Sequence, residues 1–200
     1  MIAIIDYGVG NLRSIEKAFA ATGNHAVISN DPSVLRGARA LVLPGVGAFA
    51  ACMKALSEND LDELLLERVA QGVPLLGVCV GMQMLFQESE EFGSTAGLGL
   101  LPGRVRRFSD SLTVPHVGWN HVRSLRTHPL MEGIGEQAFF YFVHSYYCVS
   151  ERDELVLGET DYGEAFTSIV ASENICGVQF HPEKSQLPGL RFLQNFAAST

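Results

Sequence analysis

The chain has 200 residues, enough for one sizeable domain, and 47% of them are hydrophobic, so a large core can be buried. Its 22 acidic residues outnumber its 14 basic residues, and the net charge of -8 argues against a nucleic-acid or membrane-surface partner. The four cysteines include no Cys-x-x-Cys pair, so they indicate neither a disulfide scaffold nor a zinc site, and we expect no metal and no cofactor.

The first residues, Met1–Ile5, lack a basic flank and are followed at once by Asp6, which predicts a first β-strand rather than a signal peptide. No apolar stretch approaches the length of a transmembrane helix. We therefore expect a single domain over residues 1–200, located in the cytoplasm.

The first half of the chain alternates short apolar runs with segments of helical periodicity. Apolar runs typical of strands occur at Ile2–Ile5, His25–Ile28, Ala40–Leu43 and Val73–Leu76. Apolar residues at helical spacing occur in Asn11–Ala21, Ala48–Leu56 and Leu61–Ala70. This order predicts an open α/β sheet that is mainly parallel and is flanked by helices on both faces.

From Gly103 to Gln179 the pattern changes to short β-rich stretches separated by Gly, Pro, Asn and Asp. The stretches are Arg104–Phe108, Ala138–Val143, Glu154–Gly158 and Phe166–Ala171. They predict antiparallel strands that extend the same sheet, followed by a closing helix at Pro188–Phe196. The segment Glu88–Gly99 is predicted to be a mobile loop.

The most informative motif is Gly77-Val78-Cys79-Val80-Gly81, which joins a predicted strand to a helical pattern at Met82–Phe86. It has the form of the G-x-S-x-G nucleophile elbow, with cysteine in place of serine. The flanking glycines suit a strained turn that tolerates no neighbouring Cβ atom. The turn would expose the sulfur at the N-terminus of a helix, where the helix dipole favours a thiolate. Cys79 is therefore the predicted nucleophile. The other three cysteines are more typical of small buried apolar residues.

A base for this thiol is predicted at His181-Pro182-Glu183, just after the apolar run Ile175–Phe180. Proline biases the preceding residue towards extended geometry, in which residues i and i+2 point to the same side. His181 would then take the proton of Cys79, and Glu183 would orient the imidazole. Alone, His-Pro-Glu is most often a turn, but its combination with the elbow predicts a Cys79–His181–Glu183 triad.

An oxyanion hole is predicted beside the elbow. Pro44-Gly45-Val46-Gly47 follows the strand at Ala40–Leu43, and ligands of parallel sheets bind beyond such carboxyl ends. The backbone N–H groups of Val46 and Gly47 would supply one half of the hole, and the N–H of Val80 the other half. Without the elbow, the same loop would be interpreted as an ordinary strand-to-helix turn.

Further polar residues are candidates for substrate binding. Gln83 lies one helical turn after Cys79, and its amide could bind an amino-acid substrate or face solvent. Glu91 could pair with a substrate ammonium or be merely solvated. His144–Tyr147 follows an apolar strand and could form either a packed strand end or an edge that faces substrate. Trp119, in a predicted turn at Gly118-Trp119-Asn120, could be a core residue or an anchor for a partner.

Together, these motifs resemble the class I glutamine amidotransferases, which share the G-x-C-x-G elbow and the His-Pro-Glu pair. Within that class the chain resembles the family of glutaminase subunits of imidazole glycerol phosphate synthase. The narrower resemblance rests on segments that span nearly the whole chain: Asp6–Asn11, Pro44–Gly47, Gly81–Gln83, Gly118–Asn120, Phe142–Tyr146 and Gly177–Ser185. The chain departs from the family at Val80, where leucine is common. Because the backbone N–H of this residue is the group concerned, the departure puts little in doubt.

The resemblance implies a flavodoxin-like fold and the hydrolysis of glutamine to glutamate and ammonia. Cys79 would form a γ-glutamyl thioester, His181 would shuttle protons and Glu183 would orient the imidazole. The substrate would be held by three elements: Gln83, Glu91 and the backbone of Ser145-Tyr146.

The resemblance also implies a heterodimer with a (β/α)₈-barrel cyclase, to which ammonia passes without meeting bulk water. The cyclase would form imidazole glycerol phosphate, for histidine biosynthesis, and an aminoimidazole carboxamide ribonucleotide (AICAR). The residues expected to face it, on loops at the Cys79 end of the sheet, are Asn11, Trp119, Asn120, Tyr141 and Lys184.

Three alternatives remain at the level of the sequence. A glutaminase that serves another synthase, such as the synthase of pyridoxal phosphate, is disfavoured by the Gly118–Asn120 and Phe142–Tyr146 motifs. A stand-alone cysteine hydrolase of the same fold would turn over glutamine without any partner. A non-catalytic binding module would be expected to lack Cys79 or His181, and both are present.

Overall fold

The computed structural model describes residues 1–200 and contains 14 β-strands, six α-helices and three short 3₁₀ helices. The strands are β1 (Ile2–Ile5), β2 (Ala26–Ser29), β3 (Ala40–Gly45), β4 (Leu75–Cys79), β5 (Phe86–Ser89), β6 (Thr95–Ala96), β7 (Leu101–Arg107), β8 (His116–His121), β9 (Arg123–Ser124), β10 (Phe139–His144), β11 (Tyr146–Ser150), β12 (Val156–Asp161), β13 (Ala165–Ser172) and β14 (Ile175–Val178). The α-helices are α1 (Leu12–Ala21), α2 (Pro32–Arg36), α3 (Phe49–Glu58), α4 (Leu61–Ala70), α5 (Val80–Gln83) and α6 (Gln186–Ala198). The 3₁₀ helices occupy Pro129–Met131, Asp153–Leu155 and Pro182–Lys184.

A 12-stranded sheet forms the centre of the molecule, in the order β2-β1-β3-β4-β14-β13-β11-β7-β5-β6, with β12 and β9 branching from β13. The five adjacent strands β2, β1, β3, β4 and β14 run parallel to one another. Strands β1, β3 and β4 are buried along their whole length, as expected for apolar runs covered by helices on both faces. The predicted α/β class and the parallel half of the sheet are therefore confirmed.

The antiparallel half differs from the prediction in one major respect. Strands β8 and β10 pair only with each other and form a separate two-stranded sheet. Their residues alternate between buried and more exposed positions, so Phe140 and Phe142 enter the core while Val117 and Trp119 remain exposed. Trp119 thus lies within a strand, and the prediction of a turn around it was wrong.

Three smaller corrections concern element boundaries. The helical pattern predicted at Met82–Phe86 ends at Gln83, and Phe86 instead begins β5, because a short buried apolar run suits either element. The first part of Glu154–Gly158 is a 3₁₀ helix, and the strand begins only at Val156. The segment Glu88–Gly99 is not a plain loop, since it includes the end of β5 and its antiparallel partner β6.

One cluster of 53 buried apolar residues fills both faces of the sheet. Helix α1 contributes Ile15, Ala18 and Phe19, and α6 packs beside it through Phe196. None of the helices combines the length and the hydrophobicity needed to cross a bilayer. The packing brings the carboxyl ends of β3, β4 and β14 side by side, and the candidate site lies there.

Candidate active site

Cys79 ends strand β4 in a backbone conformation that non-glycine residues rarely adopt. Its φ is 57° and its ψ is -115°, and α5 begins at the next residue. The elbow is closely packed, because a Cβ atom on Gly77 would lie 2.7 Å from the Gly81 carbonyl oxygen and 2.8 Å from the Met82 backbone. A Cβ atom on Gly45, in the neighbouring strand, would lie 2.5 Å from the Gly81 nitrogen. The glycines are thus required by close backbone approach, and the sharp strand-to-helix turn has the strained geometry that the motif predicts.

His181 and Glu183 are in direct contact. His181 Nδ1 lies 2.9 Å from Glu183 Oε1, and their side chains are 3% and 0% exposed. The explanation from extended geometry was wrong, because Pro182–Lys184 is a 3₁₀ helix and only His181 itself is extended. With Nδ1 donating to the carboxylate, Nε2 is the nitrogen left for the Cys79 thiol.

Glu183 is itself held by a residue from the other end of the chain. Asn11 Nδ2 donates to Glu183 Oε1 over 3.1 Å. In the structure the Asn11 side chain thus orients the carboxylate that orients His181, a contact that was not predicted, and its expected contact with a partner stays a prediction. Ser185 secures the same segment, because its hydroxyl donates to the His181 carbonyl at 2.6 Å and accepts from the Tyr141 N–H at 2.9 Å.

The electrostatics of the site favour a charged imidazole. Burial lowers the pKa of His181, but the neighbouring Cys79 and Glu183 raise it more strongly, to about 10. An imidazolium between a carboxylate and a sulfur is the protonation state that accompanies a thiolate. The arrangement can therefore move a proton from the thiol to the imidazole and stabilise the product of that transfer.

A cavity of about 270 Å³ opens above the sulfur, close to the small end of the range for ligand sites. It brings together the predicted nucleophile and base with the residues predicted for substrate and oxyanion binding. Its lining consists of Val46, Gly47, Cys79, Val80, Gln83, Glu91, Pro115, Val143, His144, Ser145, Tyr146 and His181. No sequence signal pointed to Pro115, and Val143, although it lies in the Phe142–Tyr146 segment, was assigned no role.

Gln83 and Glu91 each make a contact within the protein. Gln83 Nε2 donates to the Tyr146 carbonyl at 2.9 Å and to Gln179 Oε1 at 3.0 Å. Glu91 Oε2 accepts from the N–H of Phe49, the first residue of α3, at 2.6 Å. Both side chains therefore also hold the walls of the cavity in place.

A buried histidine pair forms and supports part of the cavity wall: His144 lines the cavity, and His116 lies behind it. His144 Nδ1 lies 2.8 Å from the Tyr146 carbonyl oxygen, and His144 Nε2 lies 3.2 Å from His116 Nδ1. Because the carbonyl can only accept, His144 donates from Nδ1, and His116 must donate to His144 Nε2. Burial lowers the pKa of His116 to about 4 and that of His144 to about 3, so both rings are neutral at pH 7.

The residues predicted to face a partner do not share one loop cluster. Asn120 and Tyr141 lie on the separate β8–β10 sheet, as Trp119 does, and Asn120 Nδ2 donates to the Asp161 carbonyl at 2.8 Å. Trp119 is nevertheless 46% exposed and meets the Tyr141 ring edge-on, with centroids 5.9 Å apart. Lys184 Nζ lies 5.7 Å from the centroid of the Tyr141 ring. These three side chains, Trp119, Tyr141 and Lys184, form one cluster, which we call the aromatic–lysine cluster.

The open parallel sheet carries a strained elbow cysteine and a buried His–Glu pair at its carboxyl edge. This combination is typical of α/β enzymes that transfer acyl groups through a thiol. Known proteins define the class further. The glutamine amidotransferase class-I family matches residues 3–199. A solved glutamine amidotransferase superimposes with a TM-score of 0.74 over 98% of both chains, at 23% identity, and so has the same fold.

Closer relatives cover the chain from end to end. The imidazole glycerol phosphate synthase subunit HisH of Salinibacter ruber is 51% identical over an alignment of 205 residues, gaps included, which covers 99% of this chain and 94% of that protein. The HisH subunit of Desulfitobacterium hafniense (strain Y51) is 50% identical over 196 residues, 98% of this chain and 93% of that protein. The chain therefore belongs to the class I glutamine amidotransferases, in the family of HisH subunits.

Proposed function

We propose that this chain is the glutaminase subunit of an imidazole glycerol phosphate synthase and supplies ammonia to a cyclase subunit in histidine biosynthesis. The observation that carries the proposal is the cavity lined by Cys79 and His181, in which Glu183, bound in turn by Asn11, holds the His181 imidazole from outside the cavity. Relatives about 50% identical over the whole chain support the choice of synthase.

The reaction begins when the thiol proton has passed to His181 and the Cys79 thiolate attacks the side-chain carbonyl carbon of glutamine. The carbonyl oxygen becomes an oxyanion, which backbone N–H groups of Val46, Gly47 and Val80 stabilise. His181 then returns the proton to the leaving nitrogen, the C–N bond breaks, and ammonia departs from a γ-glutamyl thioester. Water, deprotonated by His181, attacks the thioester and releases glutamate and the thiol. Glu183 keeps the imidazole in the required tautomer throughout.

The residues of the same cavity can recognise an amino acid as the substrate. The Glu91 carboxylate offers a partner for the substrate ammonium, although one of its oxygens already binds the Phe49 N–H. Ser145 and Tyr146 also line the cavity, and Gln83 fixes the Tyr146 carbonyl. A small substrate is favoured because the cavity has about 270 Å³, and Gln83, Glu91 and His181 among its lining residues offer polar partners to an amino acid.

The partner in this proposal is a (β/α)₈-barrel cyclase, bound as a heterodimer through the aromatic–lysine cluster. Exposed tryptophan and tyrosine are typical anchors of protein interfaces. Free ammonia is mostly protonated at neutral pH and is then not nucleophilic, so direct transfer to the cyclase keeps it reactive. The cyclase would form imidazole glycerol phosphate and AICAR. We place the complex in the cytoplasm, with neither nucleic acid nor membrane as a partner.

A comparison of two nitrogen sources tests the proposal. Cys79→Ala should abolish glutamine-dependent synthesis by the complex, whereas synthesis from added ammonium salt should continue because ammonia bypasses the thiol. The matched control is Cys176→Ala, which truncates a buried cysteine in β14 outside the cavity and should leave both activities unchanged. Glutamine hydrolysis at near wild-type rate by Cys79→Ala would refute the role of this residue. Failure of the wild-type chain to support glutamine-dependent synthesis with the cyclase would refute the proposed function.

A further inference from the structure

Two buried donors hold the Pro44–Gly47 segment. The Tyr7 hydroxyl, in the loop after β1, donates to the Pro44 carbonyl over 2.5 Å. The Cys52 thiol, on α3, donates to the Val46 carbonyl over 3.3 Å. Tyr7 is 2% exposed and Cys52 is 0% exposed, and neither residue lines the cavity. Both donors thus reach the segment from within the core.

Both groups keep their protons. Burial raises the pKa of the Tyr7 hydroxyl far above its ordinary value. Burial also raises the pKa of the Cys52 thiol. A deprotonated oxygen or sulfur would repel a carbonyl oxygen, whereas the neutral O–H and S–H groups donate to it.

The rest of the segment is fixed on both sides of the Val46–Gly47 peptide. Gly45 packs so closely on the elbow that a Cβ atom would lie 2.9 Å from the Val80 carbonyl carbon. After the segment, Glu91 binds the Phe49 N–H. Between these points, Val46 is 39% exposed and Gly47 adopts a φ of 86° with open space around it. The carbonyl between them is the group that Cys52 binds.

The orientation of this peptide decides which group faces the substrate. In a trans peptide the N–H and the C=O point in opposite directions. Binding of the Val46 carbonyl to Cys52 therefore directs the Gly47 N–H away from the core, on the side where Gly47 lines the cavity. The reverse orientation would aim a carbonyl oxygen at the developing oxyanion and repel it.

We propose that Cys52 and Tyr7 are positioning residues for the oxyanion hole. Cys52 holds the Val46 carbonyl, so that the Gly47 N–H faces the cavity above Cys79, and Tyr7 holds the Pro44 carbonyl two peptides earlier, which anchors the start of the segment. The inference rests on the proposed glutaminase function and adds to it two residues that touch no substrate. Cys52 is the more direct test, because serine preserves a donor at the same position and alanine removes it.

The experiment measures steady-state glutamine hydrolysis by the complex with the cyclase, for wild type and for Cys52→Ala, Cys52→Ser and Tyr7→Phe. Cys52→Ala should lower kcat about 10-fold or more while KM stays within about 2-fold, because the oxyanion exists only in the transition state. Tyr7→Phe should lower kcat in the same way. Cys52→Ser should retain at least about a third of the wild-type kcat.

Two controls separate positioning from packing. Alkylation of Cys79 by iodoacetamide forms no oxyanion, so its rate should be equal in wild type and the Cys52 variants. Each variant should also co-elute with the cyclase in size-exclusion chromatography as wild type does, which reports a folded and assembled complex. An unchanged kcat in Cys52→Ala would overturn the inference, as would an equal loss in Cys52→Ser or a change confined to KM. In each of these cases wild-type turnover would still support the proposed function, whereas an inactive wild-type complex would refute that function itself.

Discussion

Replacement of Gly77 by alanine perturbs the elbow through one methyl group. Gly77 lies two residues before Cys79 in β4, and its φ is not positive, so the effect is steric rather than conformational. The added Cβ would approach the Gly81 carbonyl oxygen to 2.7 Å and the Met82 Cα and nitrogen to 2.8 Å. All three are backbone atoms, which cannot rotate away. The first turn of α5 must therefore move relative to β4.

The size of the effect follows from these distances. Ordinary contact begins at 3.4 Å, so the closest pair is about 0.7 Å too near. Overpacking of this kind destabilises by about 1–3 kcal/mol, which corresponds to a fall in melting temperature of about 2–12 °C for a domain of this size. A misplacement near 1 Å lowers rates about 10²-fold, so we expect Gly77→Ala to reduce kcat about 10- to 100-fold.

The assay is glutamine hydrolysis by the complex, together with thermal melting of the free subunit. Gly135→Ala is the matched control, because nothing lies within 4 Å of its added Cβ and its φ is not positive. The control should behave as wild type in both measurements. If Gly77→Ala kept the wild-type kcat and had the same melting temperature as Gly135→Ala, close backbone packing would not be what the elbow requires.

Three further outcomes are expected. Glu183→Gln should lower kcat at saturating glutamine about 10²-fold, and Asn11→Ala should lower it less, because Asn11 acts only through Glu183; equal losses would contradict this order. Trp119→Ala should weaken cyclase binding in a titration, but it should lower the stability of the free subunit by less than the ~3–5 kcal/mol typical of a buried aromatic. A large fall in melting temperature with unchanged affinity would refute the interface assignment. Denaturant unfolding should show that the free energy of unfolding falls from pH 6.5 to pH 4, since the unfolded chain binds protons at His116 and His144 that the folded chain excludes. From the pKa of His116 alone, linkage predicts a loss of about 2 kcal/mol of stability at pH 5. A flat profile would show that the pair is not buried in neutral form.

The parallel half of the fold was predictable because its signal is local. Each of the strands β1, β3 and β4 is an unbroken apolar run, and such runs alternate with helical periodicity. The separate β8–β10 sheet was not predictable, because alternation along a strand indicates one buried face but not which strand lies beside it. The sequence therefore predicted strand segments in the second half without their pairing.

The candidate site likewise has one part that local sequence motifs predict and another part that depends on long-range packing. The elbow and the His-Pro-Glu motif are short and local, so the contact between His181 and Glu183 could be predicted even though its backbone explanation was wrong. The bond from Asn11 to Glu183 joins residues 172 positions apart, and no local pattern records it. Likewise, the donor role of Cys52 depends on the direction of one backbone carbonyl, which is set by tertiary packing rather than by composition.

The left-handed backbone at Cys79 has a consequence for how the sequence changes once catalysis is no longer under selection. A φ of 57° with a ψ of -115° strains any residue with a Cβ atom, by about 1–3 kcal/mol, and only glycine adopts it freely. The reactive residue therefore sits where the folded state would favour glycine. Once selection for catalysis relaxes, replacement of the cysteine by glycine is a downhill step in folding free energy, whereas any other residue keeps the strain. Inactive descendants of such an enzyme should thus persist as well-folded proteins and drift towards glycine at this position.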